Sequence, residues 1–81
     1  MRFLYYNIYR NNGVDEIYIS FVDTRITGNV ILPSSYNGMN ITKIGSSAFE
    51  NCCFITGVKL PDTIKVIDYR GFYGCTLLEE I

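Results

Sequence analysis

Three cysteines are the residues of this chain whose chemistry is most specific, and two of them stand in a repeated context. "AFENC" ends at Cys52 and "GFYGC" ends at Cys75, so each cysteine follows a phenylalanine by three residues, while Cys53 comes directly after the first. A zinc site would need a fourth ligand, and a cysteine nucleophile would need a general base. Because the chain has no histidine and no C-x-x-C spacing, we expect no metal, no cofactor and no cysteine catalysis.

The carboxylates do not form a catalytic pair either. Glu79 and Glu80 are adjacent on a predicted strand and therefore point to opposite faces, and Asp15 and Glu16 are predicted to be solvated charges at a turn. The sequence thus predicts a protein that is not an enzyme.

The phenylalanines and cysteines belong to a repeat of 23 residues. Shifting the chain by 23 places superposes Phe49 on Phe72 and Cys52 on Cys75. Since equivalent positions of successive solenoid coils stack, we expect both pairs to be neighbours in the interior. Cys53, which Thr76 replaces in the next unit, is expected to be the exposed thiol, and a Cys52–Cys75 disulfide remains an alternative. Other matched pairs are Ile41 with Ile64, Ile44 with Ile67, Ala48 with Gly71, Phe54 with Leu77, Ile55 with Leu78, and Val58 with Ile81.

Each unit has a fixed order of predicted elements. "VILP" at 30–33 recurs as "VKLP" at 58–61, which predicts a short strand ended by proline. The first unit carries an insertion, "SSYNGMN" at 34–40, whose Asn-Gly pair predicts a turn. Ser47 and Glu50 have capping-box spacing and predict a helical turn at 47–52, while Asp68 is the expected start of a second at 69–75.

Residues 1–29 do not repeat. Alternating apolar residues on both sides of Asn11-Asn12-Gly13 predict an antiparallel hairpin. A solenoid exposes apolar surface at its end, so a hairpin placed before the first repeat suits a cap. The alternative is the first sheet of an ordinary small β domain. We therefore expect a single domain, 1–81, with an N-terminal hairpin cap at 1–29 and about two repeats at 30–81.

The order V-x-L-P, short loop, I-x-x-I-G, A-F, N-C and strand resembles the BspA-type leucine-rich repeat, a unit of surface proteins of bacteria and of some eukaryotic parasites. Asp68 departs from it, standing where the family prefers glycine. The resemblance implies a leucine-rich repeat solenoid, mainly β with short helical turns. It also implies adhesion to host or matrix proteins, and a location at the cell surface or outside the cell.

Composition limits the partners. The net charge is −1 and the seven basic residues are spread singly, which excludes a phosphate-neutralising stripe and disfavours nucleic acid. No apolar run approaches the roughly 20 residues that span a bilayer, so no membrane insertion is expected. Asn and Arg interrupt the N-terminus before any signal-peptide segment forms, which predicts an intracellular chain or one whose leader has been removed.

We expect a protein or glycan ligand on the strand-lined face of the solenoid. The alternative is a structural spacer or capping segment of a longer repeat protein, without binding activity. The strand "LLEEI" at 77–81 ends an incomplete coil, which predicts truncation from a longer array or self-association through this C-terminal edge. The candidate partner-binding residues are exposed strand positions and tyrosines with little structural purpose: Tyr36, Thr56, Lys59, Tyr69, Tyr73 and Glu79.

Overall fold

The computed structural model describes residues 3–79, which form seven strands and, within that range, no helix. The chain coils so that strands of one sheet alternate with strands of another. The strands are β1 (Leu4–Asn11), β2 (Val14–Val22), β3 (Gly28–Ile31), β4 (Ser35–Tyr36), β5 (Met39–Ile44), β6 (Ile55–Lys59) and β7 (Val66–Ile67).

β1 and β2 form the predicted antiparallel hairpin. The turn between them is made by Asn12 and Gly13, with φ of 51° and 81°. Two successive positive φ angles give the turn whose twist matches the flanking strands, and Asn-Gly adopts it readily. The hairpin is therefore specified by local sequence, and its capping role is a separate question.

β2 is also the first strand of the repeat stack. It pairs in parallel with β5, with Ile19 opposite Ile44, and β5 pairs in parallel with β7, with Ile44 opposite Ile67. The large sheet thus holds three stacked coils, and the step from the second to the third is the 23 residues found in the sequence. Sequence comparison alone had not separated β2 from the non-repeating segment.

The small sheet is built from the second half of each coil. β3 pairs in parallel with β6, and Val30 lies opposite Val58. The third coil continues this direction, since the amide of Glu79 donates to the carbonyl of Thr56 at 2.9 Å.

The insertion at 34–40 projects from the stack as a second hairpin. β4 pairs antiparallel with the start of β5, with Tyr36 opposite Met39. Asn37 and Gly38 make the turn with φ of 51° and 76°, as the Asn-Gly pair predicted.

The predicted helical turns at 47–52 and 69–75 are replaced by successive hydrogen-bonded turns. Ser47, Asn51 and Arg70 have φ of 58°, 62° and 56°, and a right-handed helix cannot continue through such residues. Each turn closes over three residues, as in the bond from Glu50 N to Ser47 O at 3.1 Å. The Ser-x-x-Glu spacing therefore does not cap a helix here; the Glu50 carboxylate lies 3.5 Å from Arg70 Nε.

The core lies between the two sheets and the turns that join them. Phe49 is fully buried and stacks on Phe72 at a ring-centroid distance of 4.7 Å, as the repeat predicted. Phe72 is only partly buried because, within residues 3–79, no coil packs on its far side. The fully or nearly fully buried apolar residues are Ile17, Ile19, Val22, Val30, Leu32, Ile41, Ile44, Ala48, Phe49, Cys52, Ile55 and Val58.

Candidate functional site

The outer face of the small sheet brings together three of the predicted binding residues, Thr56, Lys59 and Glu79. Side chains alternate along β3 and β6, so Val30 and Val58 point into the core while Ile31 and Lys59, opposite each other in register, point outward. Thr56 is exposed on β6, and its carbonyl binds the amide of Glu79.

This small-sheet face, defined by Asn29, Ile31, Thr56, Lys59 and Glu79, has an apolar centre. The side chain of Ile31 is 74% exposed, more than any other large apolar side chain in the described chain. A groove of about 590 Å³, lined by both strands, runs over the face. Lys59 lies opposite Ile31, and Glu79 follows beyond Thr56 on the other side of β6, so the face can combine apolar contact with charge pairing.

Ile31 was missed by sequence reasoning, although a signal was present. The repeats read V-I-L-P and V-K-L-P, so isoleucine occupies the outward position that lysine fills in the next unit. An apolar residue at a solvent-facing repeat position is the pattern that would have identified it.

Tyr36 lies elsewhere, on β4. Its ring stacks on that of Tyr6 with centroids 5.0 Å apart and planes 20° apart. Both rings line a larger groove of about 940 Å³ between the β1–β2 hairpin and β3. We call it the N-terminal groove.

Tyr69 and Tyr73 lie in the turns that follow β7 and are 72% and 55% exposed. The guanidinium of Arg70 sits 3.9 Å from the ring centroid of Tyr73, in cation–π geometry, and also faces Glu50. The two tyrosines therefore form a separate exposed edge. The structure does not bring them onto the small-sheet face.

The outer face of the large sheet carries a polar cluster that the sequence did not reveal. Glu16, predicted to be a solvated turn charge, lies on β2, and its Oε1 accepts hydrogen bonds from Asn11 (3.2 Å), Thr42 (3.1 Å) and Tyr9 (3.3 Å). The bond from Asn11 is the largest cause that lowers the pKa of Glu16, and burial opposes it. The Lys43 amine lies 4.6 Å from the Tyr9 ring centroid. These contacts satisfy one another, so the cluster joins the hairpin to β5.

All three cysteines are free thiols. Cys52 is fully buried, and burial raises its pKa to about 11. Cys75 donates from Sγ to the carbonyl of Phe49 at 3.1 Å, and burial is the main cause that raises its pKa. Cys75 and Cys53 are both half-buried, so the predicted contrast between an interior Cys75 and an exposed Cys53 is too strong.

The part of the chain from 3 to 79 contains no cluster of three potential metal ligands. Over the same range, no helix has the length and apolar character needed to cross a bilayer.

The sequence model of one protein family, described as BspA type leucine rich repeat region (6 copies), matches residues 7–81. The match begins within β1. A crystal structure of a leucine-rich repeat protein from Bacteroides ovatus ATCC 8483 superposes with a TM-score of 0.71 at 25% sequence identity, covering 99% of this chain and 22% of that one. The chain thus spans about a fifth of that protein. No curated protein was found to match. Parallel stacked coils, the Phe49–Phe72 ladder and the family match over residues 7–81 together establish that the chain belongs to the BspA-type leucine-rich repeat family.

Proposed function

We propose that this chain is a non-enzymatic interaction module that binds a protein through the small-sheet face. The observation that carries the proposal is Ile31, whose side chain is 74% exposed on an open two-stranded sheet and lies opposite Lys59. Exposed apolar side chains bordered by polar groups are typical of recognition surfaces. Repeat stacks present such strand-lined surfaces to partners, which agrees with membership of the family.

The expected ligand is a host or matrix protein, and the expected role is adhesion by a surface or secreted protein. Lys59 and Glu79 support a protein partner with charges of both signs. Tyr36, Tyr69 and Tyr73 lie away from the face and are proposed as secondary contacts. The hairpin is proposed to cap the stack, which is supported by the packing of Leu4 and Tyr6 against the core.

Surface plasmon resonance against a panel of purified plasma and matrix glycoproteins tests the proposal. Lys59→Glu should abolish binding to the responding protein, because it reverses the charge directly opposite Ile31 on the face. Lys65→Glu is the matched control, since it makes the same change at an exposed residue before β7, outside the face. Equal binding by the two variants would refute this face as the site. Retained binding to deglycosylated partner excludes a glycan ligand.

The second candidate function is a structural segment that associates through its C-terminal edge. β7 pairs only with β5 within residues 3–79, and Ile67 and Leu77 are 45% and 54% exposed. These side chains support stacking by a further coil or by another copy. Sedimentation velocity should show association that rises with concentration and is lost in Ile67→Asp. A wild-type chain that stays monomeric at every concentration contradicts self-association.

A further inference from the structure

The small sheet has an open edge at β3. Across residues 3–79, β6 is the only strand that pairs with β3. The amides of Gly28 and Leu32 donate to the carbonyls of Phe54 at 3.1 Å and Lys59 at 3.0 Å. Because backbone groups point alternately to the two sides of a strand, those of Asn29 and Ile31 point away from β6. β3 therefore offers two amides and two carbonyls to whatever lies beside it.

What lies beside it is the N-terminal groove. Its far wall is the hairpin, which contributes the rings of Tyr5, Tyr6 and Phe21, and Ile26 and Val30 line the side of the core. Among residues 3–79, no Asp, Glu, Lys or Arg side chain lines it. The groove thus combines unpaired strand backbone with an uncharged, largely aromatic wall.

The two sheets differ at this end of the stack. The large sheet continues past β2 to β1, whereas the small sheet stops at β3. A strand placed in the groove at the usual spacing of about 4.8 Å would continue the pairing already present between β3 and β6. A strand bound at this position would therefore extend the existing small sheet by one strand.

We infer that the N-terminal groove binds an extended, uncharged peptide segment of a partner protein, which pairs with β3 as an added strand. Alternate side chains of the segment would face Ile26 and Val30, and the others would lie beside Ile31. When a strand is added to a sheet edge, backbone hydrogen bonds provide affinity and the pockets for alternate side chains provide specificity. Charged peptide residues are disfavoured, since none of the described lining side chains could pair with a buried charge. The site shares Ile31 with the small-sheet face, but it uses the free backbone edge of β3, whereas that face uses side chains that point outward from β3 and β6.

A narrow occupant fits better than a second folded copy. The groove lies between the hairpin wall and the β3 edge, and its volume is about 940 Å³. A single strand can enter between two such walls, whereas another folded chain would have to bring its own hairpin into the same space.

Fluorescence anisotropy with a labelled peptide that alternates valine and threonine tests the inference on the intact chain. We expect saturable binding, and at saturation the amide hydrogen exchange of Asn29 and Ile31 should slow at least about tenfold, because their backbone groups become paired. The amide of Val30, already directed to β6, should change little. A peptide with lysine in place of each valine should not bind.

Variants and backbone-modified peptides separate strand pairing from nonspecific apolar contact. Ile31→Lys should weaken binding at least about tenfold, since it places a charge against the apolar peptide. Ile8→Lys is the matched control, because Ile8 is 60% exposed on β1 and does not line the groove. Of two peptides N-methylated at either the valines or the threonines, one should lose binding.

Three results would overturn the inference. The first is an absence of saturable peptide binding, and the second is unchanged affinity for both N-methylated peptides. The third is saturation by uncharged oligosaccharides without slower exchange at Asn29 and Ile31, which would identify a glycan site. None of these results bears on binding of a matrix protein through Lys59, so the two proposals fail independently.

Discussion

Removal of the Phe49 ring is the sharpest test of the stacked core. Phe49 has no exposed surface and stacks on Phe72 with centroids 4.7 Å apart and planes 24° apart. Truncating a buried phenylalanine to alanine costs about 3–5 kcal/mol, through lost apolar burial and the cavity that remains. A chain of 81 residues has a total stability of about 4–12 kcal/mol, at roughly 0.05–0.15 kcal/mol per residue. Phe49→Ala should therefore remove a large part of the free energy of unfolding.

Urea unfolding followed by circular dichroism measures this loss. At an m-value of about 1–1.5 kcal/mol/M, the midpoint should fall by roughly 2–5 M. Phe72→Ala should cost less than Phe49→Ala, because Phe72 is already partly exposed. A double-mutant cycle should give a coupling of about 0.5–1.5 kcal/mol for the ring pair.

The matched control is Phe54→Ala, which makes the same truncation at a ring that is 55% exposed. If Phe49→Ala does not fold, Phe49→Leu keeps much of the buried volume and should give an intermediate midpoint. Equal midpoints for the Phe49 and Phe54 variants, or zero coupling between Phe49 and Phe72, would refute the stacked core.

Three further predictions concern the thiols, a turn glycine and acid stability. In the folded, reduced protein, iodoacetamide should label half-buried Cys53 fastest and fully buried Cys52 slowest, as read by mass spectrometry; equal rates would contradict the burial of Cys52. Gly74→Ala should lower the urea midpoint more than Gly28→Ala. Both glycines have positive φ, which costs alanine about 1–2 kcal/mol. A Cβ at Gly74 would in addition collide with the Asn51 side chain, whereas a Cβ at Gly28 would meet nothing within 4 Å. The reverse order would be inconsistent with the turn geometry. Hydrogen bonds from the Arg25 side chain hold the pKa of Asp23 at about 2, below its ordinary 3.8. The stability that this carboxylate contributes is therefore present above pH 3.8 and is lost as the pH falls towards 2. Asp23→Asn should flatten that part of the pH–stability curve, and an unchanged slope would count against the Asp23–Arg25 pair.

The stacking of the second and third coils was predictable because the sequence period equals the number of residues in one coil. Phe49 and Phe72, or Ile44 and Ile67, are 23 residues apart and meet in space. The two Asn-Gly turns were predictable for a local reason, since those residues tolerate the positive φ that tight hairpins need.

The first coil was hidden because its spacing and its side chains both differ. Ile17 and Ile19 pair with residues 24 and 25 positions later, so a comparison at a constant offset of 23 does not align them. The residues that follow β2 also lack the Phe-x-x-Cys pattern that follows β5 and β7. The parallel pairing of β2 with β5 identifies it as part of the stack.

The helical turns failed because Ser-x-x-Glu spacing does not determine backbone conformation by itself. The same four residues close a single turn when Ser47 takes a positive φ. The grooves were beyond sequence reasoning for another reason: the N-terminal groove is formed by residues as distant as Tyr5, Ile31 and Tyr36, whose proximity depends on the complete fold. The signal for Ile31 was present, but its exposure required the register of β3 with β6.

The hairpin of β4 with β5 determines where this chain can change length. Its backbone pairs with β5, with Ser35 opposite Asn40, and its Tyr36 ring rests on Tyr6 of β1. The hairpin absorbs most of the difference between the 28-residue step from Val30 to Val58 and the 23-residue step from Ile44 to Ile67. Residues added between 35 and 38 would lengthen a projecting loop, at a closure cost of only about 0.6 kcal/mol per doubling. An engineer could therefore graft a recognition loop there, and natural insertions could accumulate there, while every parallel strand keeps its register.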